Sequence, residues 1–249
     1  MKLLFYVAAI GLFCSFSNLS ISPEEILRRA EQKLTSSTIT SELEITIERP
    51  KWTKEMVLKT WGKGSEYAMA YVLSPAKDAG TVYMKSKNEV YNYLPKIKRT
   101  VKLPAALMSQ NWMGTDLSTD DLVRLSQLTK DYNPVLKSSV TVNGRDCYVI
   151  DLMPLPEADV IWGKLRVMID KKDYIQMKTI FYDEDMEAVN VLISSEIKNL
   201  GGKMLATTVV MKPVNKSGFS TTVHYKNITF NKPISSFFFT KENMPKVRP

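Results

Sequence analysis

The fold is decided by residues 39–48, which read ITSELEITIE. The odd-numbered positions carry isoleucine, leucine and one serine, whereas the even-numbered positions carry only threonine and glutamate. Successive side chains of a β-strand point to opposite faces, so this alternation predicts a strand with one buried face and one face in water. Such half-buried strands are typical of antiparallel sheets.

The same pattern continues on both sides of a central interruption. Strand-like runs occur at 55–61, 65–74, 80–85, 89–94 and 99–103, and again at 135–142, 145–153, 164–170, 174–183, 188–198, 203–211 and 218–230. Short turns such as Asn143-Gly144 link them, which indicates an antiparallel meander. We therefore predict a mainly β (α+β) fold: a single curled antiparallel sheet of about 11 strands that forms a half-open barrel, with helices covering its concave face.

Residues 1–20 predict an export signal. Lys2 supplies a positive charge, and residues 3–13 form an apolar run that is too short to span a bilayer but suits a secretory signal. Cleavage is expected after Ser17 or Ser20, which leaves residues 21–249 as one domain in the periplasm. A lipid anchor at Cys14 is the alternative, but Phe13 is a poor residue to precede a lipidated cysteine, so Cys14 is expected to leave with the signal.

Two helices are predicted beside the strands. Ser22, Pro23 and Glu25 form a capping box at the start of the first one. Residues 104–132 lack the alternation of the strands, and Ser118 is placed to cap a second helix there. Because this insertion is rich in methionine and large apolar residues, it suits a lid over a hydrophobic cavity.

The chain offers few groups for catalysis. Once the signal is removed, Cys147 and His224 are the only cysteine and histidine, which excludes zinc sites built from several such residues. His224 is expected to face solvent or the rim, and Cys147 shares its strand face with Val149 and Asp151 as an inert thiol. The acidic run 183–187 lacks the spacing of a calcium loop and predicts a hairpin turn. We therefore expect no catalytic residue, no metal and no cofactor, and predict that the protein is not an enzyme.

A surplus of large, deformable apolar residues indicates binding instead. The chain has 13 Met and 9 Phe among them, and methionine adapts well to flexible apolar partners. The candidate positions lie on the strand faces expected to point inward and in the insertion. They are Leu43, Ile45, Ile47, Met56, Leu58, Tyr67, Met69, Tyr71, Leu107, Met108, Trp112, Met113 and Ile150. We predict that these residues line a hydrophobic cavity and its lid.

The net charge of +8 is spread along the chain. Because there is no dense basic run and no nucleic-acid-binding motif, we expect no nucleic-acid partner. The excess of positive charge predicts transient contact with an anionic membrane surface.

Two segments resemble the outer-membrane lipoprotein-sorting-like family. Leu94-Pro95 is followed by Lys98-Arg99, and residues 111–118 read NWMGTDLS. The family shows a Leu-Pro, a basic cluster and then Ser-Trp/Phe-Met-Gly-Ser/Thr-Asp-Phe, so Asn111 and Leu117 are mild departures. The terminal Phe239-Thr240 is similar to the closing strand of the family. The resemblance, to carriers of the LolA and LolB type, implies an unclosed β-barrel with helices across its mouth that holds acyl chains, and it supplies no catalytic residues.

Together these features predict a periplasmic carrier or chaperone that binds lipoprotein acyl chains or lipids and exchanges them with membrane-protein donors and acceptors. One alternative is a sensor or an accessory module of an envelope exporter with the same fold. Another is an enzyme acting on lipid or glycan, for which the sequence shows neither paired carboxylates nor a triad.

Overall fold

The computed structural model describes residues 21–87, 89–119, 128–158 and 160–249. The predicted signal, with Cys14, and most of the second predicted helix lie outside the described residues. Within them the chain forms one helix of several turns, α1 (Pro23–Leu34), and one sheet of 13 strands. Ser22 caps α1, since its hydroxyl accepts a hydrogen bond from the backbone N–H of Glu25 at 3.2 Å, as predicted.

The strands follow the predicted segments closely. They are β1 (Ile39–Arg49), β2 (Trp52–Lys63), β3 (Tyr67–Ser74), β4 (Val82–Ser86), β5 (Glu89–Leu94), β6 (Arg99–Lys102), β7 (Tyr132–Val142), β8 (Arg145–Pro154), β9 (Lys164–Asp170), β10 (Gln176–Tyr182), β11 (Ala188–Leu200), β12 (Lys203–Pro213) and β13 (Ser220–Phe230). Short helical turns occur at Ala105–Leu107, Trp112–Gly114, Leu128–Asp131, Ser236–Phe239 and Met244–Lys246.

The sheet consists of two meanders joined at its centre. The strands β1 to β6 lead outward from β1 in one direction, and β7 to β13 return from the far edge until β13 pairs with β1. Because β6 and β7 stand at opposite edges, the sheet is not closed within the described part of the chain. The segment between them comprises residues 103–131, of which 103–119 and 128–131 are described. We call these two described stretches the crossover.

Register divides the sheet into two apolar faces. Ile45 lies opposite Met56 on one side and Val223 on the other, so these three side chains share a face, which we call the crossover face. Met69 lies opposite both Trp61 and Met84 on the other face, which we call the tail face. The crossover lies against the first face, and residues 234–247 lie against the second.

Two clusters of buried residues form the core of the crossover face. The first contains residues of α1, strands β7 to β12 and the crossover: Ile26, Leu27, Leu117, Leu128, Tyr132, Ile150, Leu152, Leu165, Val167, Ile169, Phe181, Leu192 and Met211. The second lies at the centre of the sheet: Ile45, Ile47, Met56, Leu58, Val72 and Trp112. Val223 packs against both clusters, so the apolar face is continuous.

The structure corrects three expectations. The sheet has 13 strands rather than about 11, because every predicted segment pairs, including the four-residue β6. Among the described residues, α1 and the irregular crossover cover the sheet rather than helices alone. Phe239 ends a helical turn instead of forming a closing strand, and it is buried on the tail face with Met69 and Met84.

Candidate functional site

The candidate site is the centre of the crossover face, where Trp112 occupies the apolar surface. Its indole is only 4% exposed and packs with Ile45, Met56 and Leu58. The ring of Tyr83 meets it edge to face, with 5.3 Å between the ring centroids. Trp112 therefore fills the space that the sequence assigned to a cavity, and we call it the plug.

The loop that carries the plug is braced by its own hydrogen bonds. The backbone N–H of Trp112 donates to the carbonyl of Leu117 at 2.8 Å. The hydroxyl of Thr115 donates to the backbone carbonyl of Trp112 at 2.7 Å. Met113 and Gly114 adopt φ angles of 49° and 86°, which turn the chain back on itself. Residues 110–119 thus form a compact unit that presents Trp112 and Leu117 to the sheet.

Polar contacts fasten this loop to the two central strands. Arg49, the last residue of β1, donates to a carboxylate oxygen of Asp116 at 3.0 Å and to the carbonyl of Gly114 at 2.7 Å. The Arg49 and Asp116 side chains are 8% and 3% exposed. Thr221 on β13 donates its hydroxyl to Asp116 at 2.7 Å and accepts the Asp116 N–H at 2.8 Å. We call this group the latch.

Beside the plug, the crossover face is only half-buried. Leu43, Val209, Val223 and Tyr225 lie on this face and all retain partial exposure. Burial nevertheless raises the pKa of the Tyr225 hydroxyl. In addition, the regular pairing of β12 with β13 extends only from Thr208 to Met211 and ends before it reaches Tyr225.

The structure divides the predicted cavity residues into groups. Ile45, Ile47, Met56, Leu58 and Trp112 come together, with Leu43 and Met113 packed against them. Ile150 lies on the same face in the neighbouring cluster. Leu107 and Met108 are half-buried at the start of the crossover.

Tyr67, Met69 and Tyr71 are not part of this group. In the register of β2 and β3 they lie opposite Lys63, Trp61 and Lys59, which places them on the tail face. There they pack with Phe239, Met244 and Val247. The structure therefore does not bring all the candidate residues to one face, because β3 has apolar residues on both faces.

The side chains with catalytic or metal-binding chemistry lie in the sheet or in a turn. Cys147 is buried on the tail face with Val149, and burial raises the pKa of its thiol. His224 is half-buried, and its Nδ1 lies 2.8 Å from the hydroxyl of Thr208. Residues 183–187 form the turn between β10 and β11, as predicted. Among the residues that the structure describes, no group of three or more acidic, histidine or cysteine side chains is arranged to hold a metal ion.

A basic surface groove was missed at the sequence level. It has a volume of about 420 Å³ and is lined by Arg29, Gln32, Lys33, Tyr174, Gly202, Lys203 and Met204. The ammonium of Lys203 donates to the carbonyls of Gln32 and Lys33 at the end of α1. Burial and the nearby Lys33 lower the pKa of Lys203. No sequence signal indicated this site, because its residues come from elements far apart in the chain.

The described part of the chain contains no helix that is both long and apolar enough to cross a bilayer.

A sequence search of curated proteins finds no match. Three solved structures share the fold over nearly their whole length. A DUF1329 family protein from Desulfovibrio piger has a TM-score of 0.82 and 20% identity, over 89% of this chain and 97% of that chain.

The second is described as an outer-membrane lipoprotein-sorting protein domain and comes from Vibrio parahaemolyticus. It has a TM-score of 0.80 and 19% identity, over 90% of this chain and 98% of that chain. The third is a LolA superfamily protein from Nitrosomonas europaea, with a TM-score of 0.77 and 19% identity over 90% and 99%. The three TM-scores establish a common fold.

A family model also matches residues 64–246, and its description is that of an uncharacterized-protein-like family. Because this match spans more than half of the chain, the chain belongs to that family, and its fold is that of the LolA-type lipoprotein-sorting proteins that its sequence resembles.

Proposed function

We propose that this protein is a non-catalytic periplasmic carrier that holds the acyl chains of lipoproteins or lipids between the crossover and the crossover face. The observation that carries the proposal is the position of Trp112, an indole on a self-contained loop that occupies a continuous apolar sheet face. The descriptions of two relatives, for lipoprotein sorting and for the LolA superfamily, support the same class of cargo.

The energetics favour a long, flexible apolar ligand. A tryptophan side chain buries roughly 150–250 Å², and at about 25 cal/mol per Å² this contributes about 4–6 kcal/mol. Each buried methylene contributes about 0.8 kcal/mol, so about five to seven methylenes offset the loss of the Trp112 contacts. A fatty acyl chain contains more than that number. It therefore displaces the plug with a net gain, whereas a short apolar ligand does not.

The latch makes this displacement reversible. Arg49, Asp116 and Thr221 are polar groups that water solvates when the loop lifts away. The hydrogen bonds within residues 110–119 remain intact during such a movement, so the loop moves as one unit. The half-buried Leu43, Val223 and Tyr225 then continue the apolar surface beyond the plug.

Two measurements test the proposal. The protein purified gently from its own cell envelope is expected to carry acylated species in native mass spectrometry. In solution, a fluorescent fatty acid is expected to bind one site per chain and to be displaced by an unlabelled long-chain fatty acid but not by hexanoate. A protein that carries no acyl species and binds no fatty acid probe is not an acyl carrier.

One observation favours the alternative of a sensor or exporter-accessory module. The edge strand β7 pairs only with β8 among the described residues, and Val135, Leu136 and Val140 on it are exposed. Exposed edge strands receive partner strands. Stable capture of an envelope protein by the ligand-free form, lost in a Leu136→Lys variant, would favour this alternative over the carrier.

A further inference from the structure

Two hairpins meet at the end of the sheet where the latch lies. Pro50 and Lys51 connect β1 to β2, and residues 214–219 connect β12 to β13. The hairpins touch, since a Cβ on Gly218 would lie 3.3 Å from Cγ of Pro50. Trp52 and Phe219 stand on them beside the exposed Lys51 and Lys216. We call these four residues the aromatic rim.

The rim and the latch share one guanidinium group. The central carbon of Arg49 lies 4.9 Å from the ring centroid of Phe219 and 5.7 Å from that of Trp52. The same guanidinium donates to Asp116 and to the carbonyl of Gly114 in the crossover. The rings of Trp52 and Phe219 thus contact the same Arg49 guanidinium that holds the loop of residues 110–119.

The composition of the rim suits an anionic lipid surface. Trp52 is 50% exposed, and together with the half-buried Phe219 it presents aromatic surface at this end of the sheet. Tryptophan favours the boundary between lipid headgroups and acyl chains. Lys51 and Lys216 add positive charges that a negatively charged membrane attracts, and this attraction weakens as salt increases.

A second hairpin, farther along the sheet, carries the same combination. Alternating strand directions place the turn between β5 and β6 at the same end of the sheet as the rim. Ile97 at its tip is 58% exposed, and Lys96 and Lys98 flank it. Exposed apolar and basic residues thus recur at this end.

We propose that the aromatic rim docks on an anionic phospholipid surface, and that insertion of Trp52 and Phe219 draws their rings away from Arg49 and loosens its hold on the crossover. The docking step stands alone, whereas the loosening step rests on the proposed function. Cargo exchange is thereby favoured at the membrane and disfavoured in free solution.

Vesicle sedimentation tests the docking step with the full chain. The protein is expected to sediment with vesicles of 70% phosphatidylcholine and 30% phosphatidylglycerol, less with pure phosphatidylcholine, and less again in 0.5 M NaCl. Trp52→Ser and the double variant Lys51→Glu/Lys216→Glu are each expected to reduce the bound fraction at least fivefold. The double variant changes only exposed side chains, so its folding is not in question.

Phe237→Ser is the matched control. Phe237 is an exposed aromatic residue at 66%, and Lys63 donates to its neighbour Ser236 at 2.7 Å. Since Lys63 ends the strand that Trp52 begins, Phe237 lies at the opposite end of the sheet. Its variant is expected to bind as the unaltered protein does. With brominated lipids, quenching of tryptophan emission is expected in the unaltered protein and lost in Trp52→Phe.

Several results would overturn the docking step: equal binding by Trp52→Ser, an equal loss in Phe237→Ser, equal binding to neutral vesicles, or a loss confined to Ile97→Ser.

The loosening step is measured as the rate at which a bound fluorescent fatty acid transfers to anionic vesicles. The double variant Lys51→Glu/Lys216→Glu, which keeps both rings beside Arg49, is expected to slow this transfer at least fivefold, and an unchanged rate refutes the coupling. Fatty acid binding in vesicle-free solution separates the two proposals: its absence, with docking intact, removes the carrier function alone.

Discussion

Replacing Trp112 with alanine distinguishes a lid from an ordinary core residue. In a rigid core, such a substitution costs about 3–5 kcal/mol of global stability. If the loop of residues 110–119 closes over the sheet as a unit, the cost falls on the closed state and leaves the open, binding-competent state unchanged. The apparent affinity for an acyl chain then increases with the fraction of open protein.

The magnitude follows from the contacts of the indole. A loss of about 3 kcal/mol from the closed state, at about 1.4 kcal/mol for each factor of ten, increases the apparent affinity by up to roughly 100-fold. Met56→Ala is the matched control, because Met56 is fully buried in the same cluster but belongs to a central strand. It is expected to cost about 2–5 kcal/mol of global stability without tightening binding.

Two assays read out these effects. Titration with a fluorescent fatty acid gives the affinity, and urea unfolding gives the free energy of unfolding for the unaltered protein and for both variants. Both variants are expected to lose stability in the absence of ligand, but only Trp112→Ala is expected to bind more tightly, by a factor that matches its own loss of stability. The lid interpretation is refuted if Trp112→Ala loses the full stability of a core substitution and its affinity is unchanged or weaker.

Further predictions concern the latch, the tail face and acid stability. Asp116→Asn removes the charge that pairs with Arg49, so the fatty acid should associate about tenfold faster in stopped-flow mixing; an unchanged rate would show that the latch does not control opening. Met69→Ala should reduce stability by about 2–5 kcal/mol but leave fatty acid affinity within twofold, because Met69 lies on the tail face; lost binding would contradict this assignment. Arg166 holds the pKa of Asp151 below its usual value through two hydrogen bonds, so their stabilisation is full above about pH 4 and is lost as the pH falls through the folded-state pKa. Asp151→Asn should lower the free energy of unfolding by about 1–2 kcal/mol at neutral pH. Urea unfolding at a series of acidic pH values should then show a smaller loss of stability than in the unaltered protein, and an equal loss would be inconsistent with this role.

The strands were predictable because their pattern is local. Alternation along residues 39–48 predicts β1, and the structure buries Ile45 and Ile47 while Glu44 and Glu48 remain exposed. The same alternation correctly placed Cys147 and Val149 on one face. Each of these predictions depends only on the twofold periodicity of a strand.

The relation between strands was not predictable in the same way. The residues Tyr67, Met69 and Tyr71 were assigned to the cavity because they are large, yet the smaller Ala68, Ala70 and Val72 occupy the crossover face. Which face of β3 matches which face of β2 depends on register, and a slip of one residue reverses it. The fold of residues 234–247 onto the tail face is a long-range contact, so no local pattern indicated it.

The site was predicted in part. Trp112 and Met113 were selected from composition and from the resemblance, and Trp112 does lie on the apolar face with Ile45 and Met56. The latch was missed, because Arg49 and Asp116 are 67 positions apart in the chain and meet only when the crossover is folded over β1. A buried ion pair of this kind has no signature in a single sequence.

Native mass spectrometry of the protein extracted gently from its own envelope shows whether the chain carries acyl cargo. We expect a population with additional mass that matches one acylated molecule per chain, released as the acyl species upon activation and depleted by competing long-chain fatty acid. A single ligand-free mass under conditions that preserve the fold, with no gain in mass upon addition of fatty acid, would contradict it.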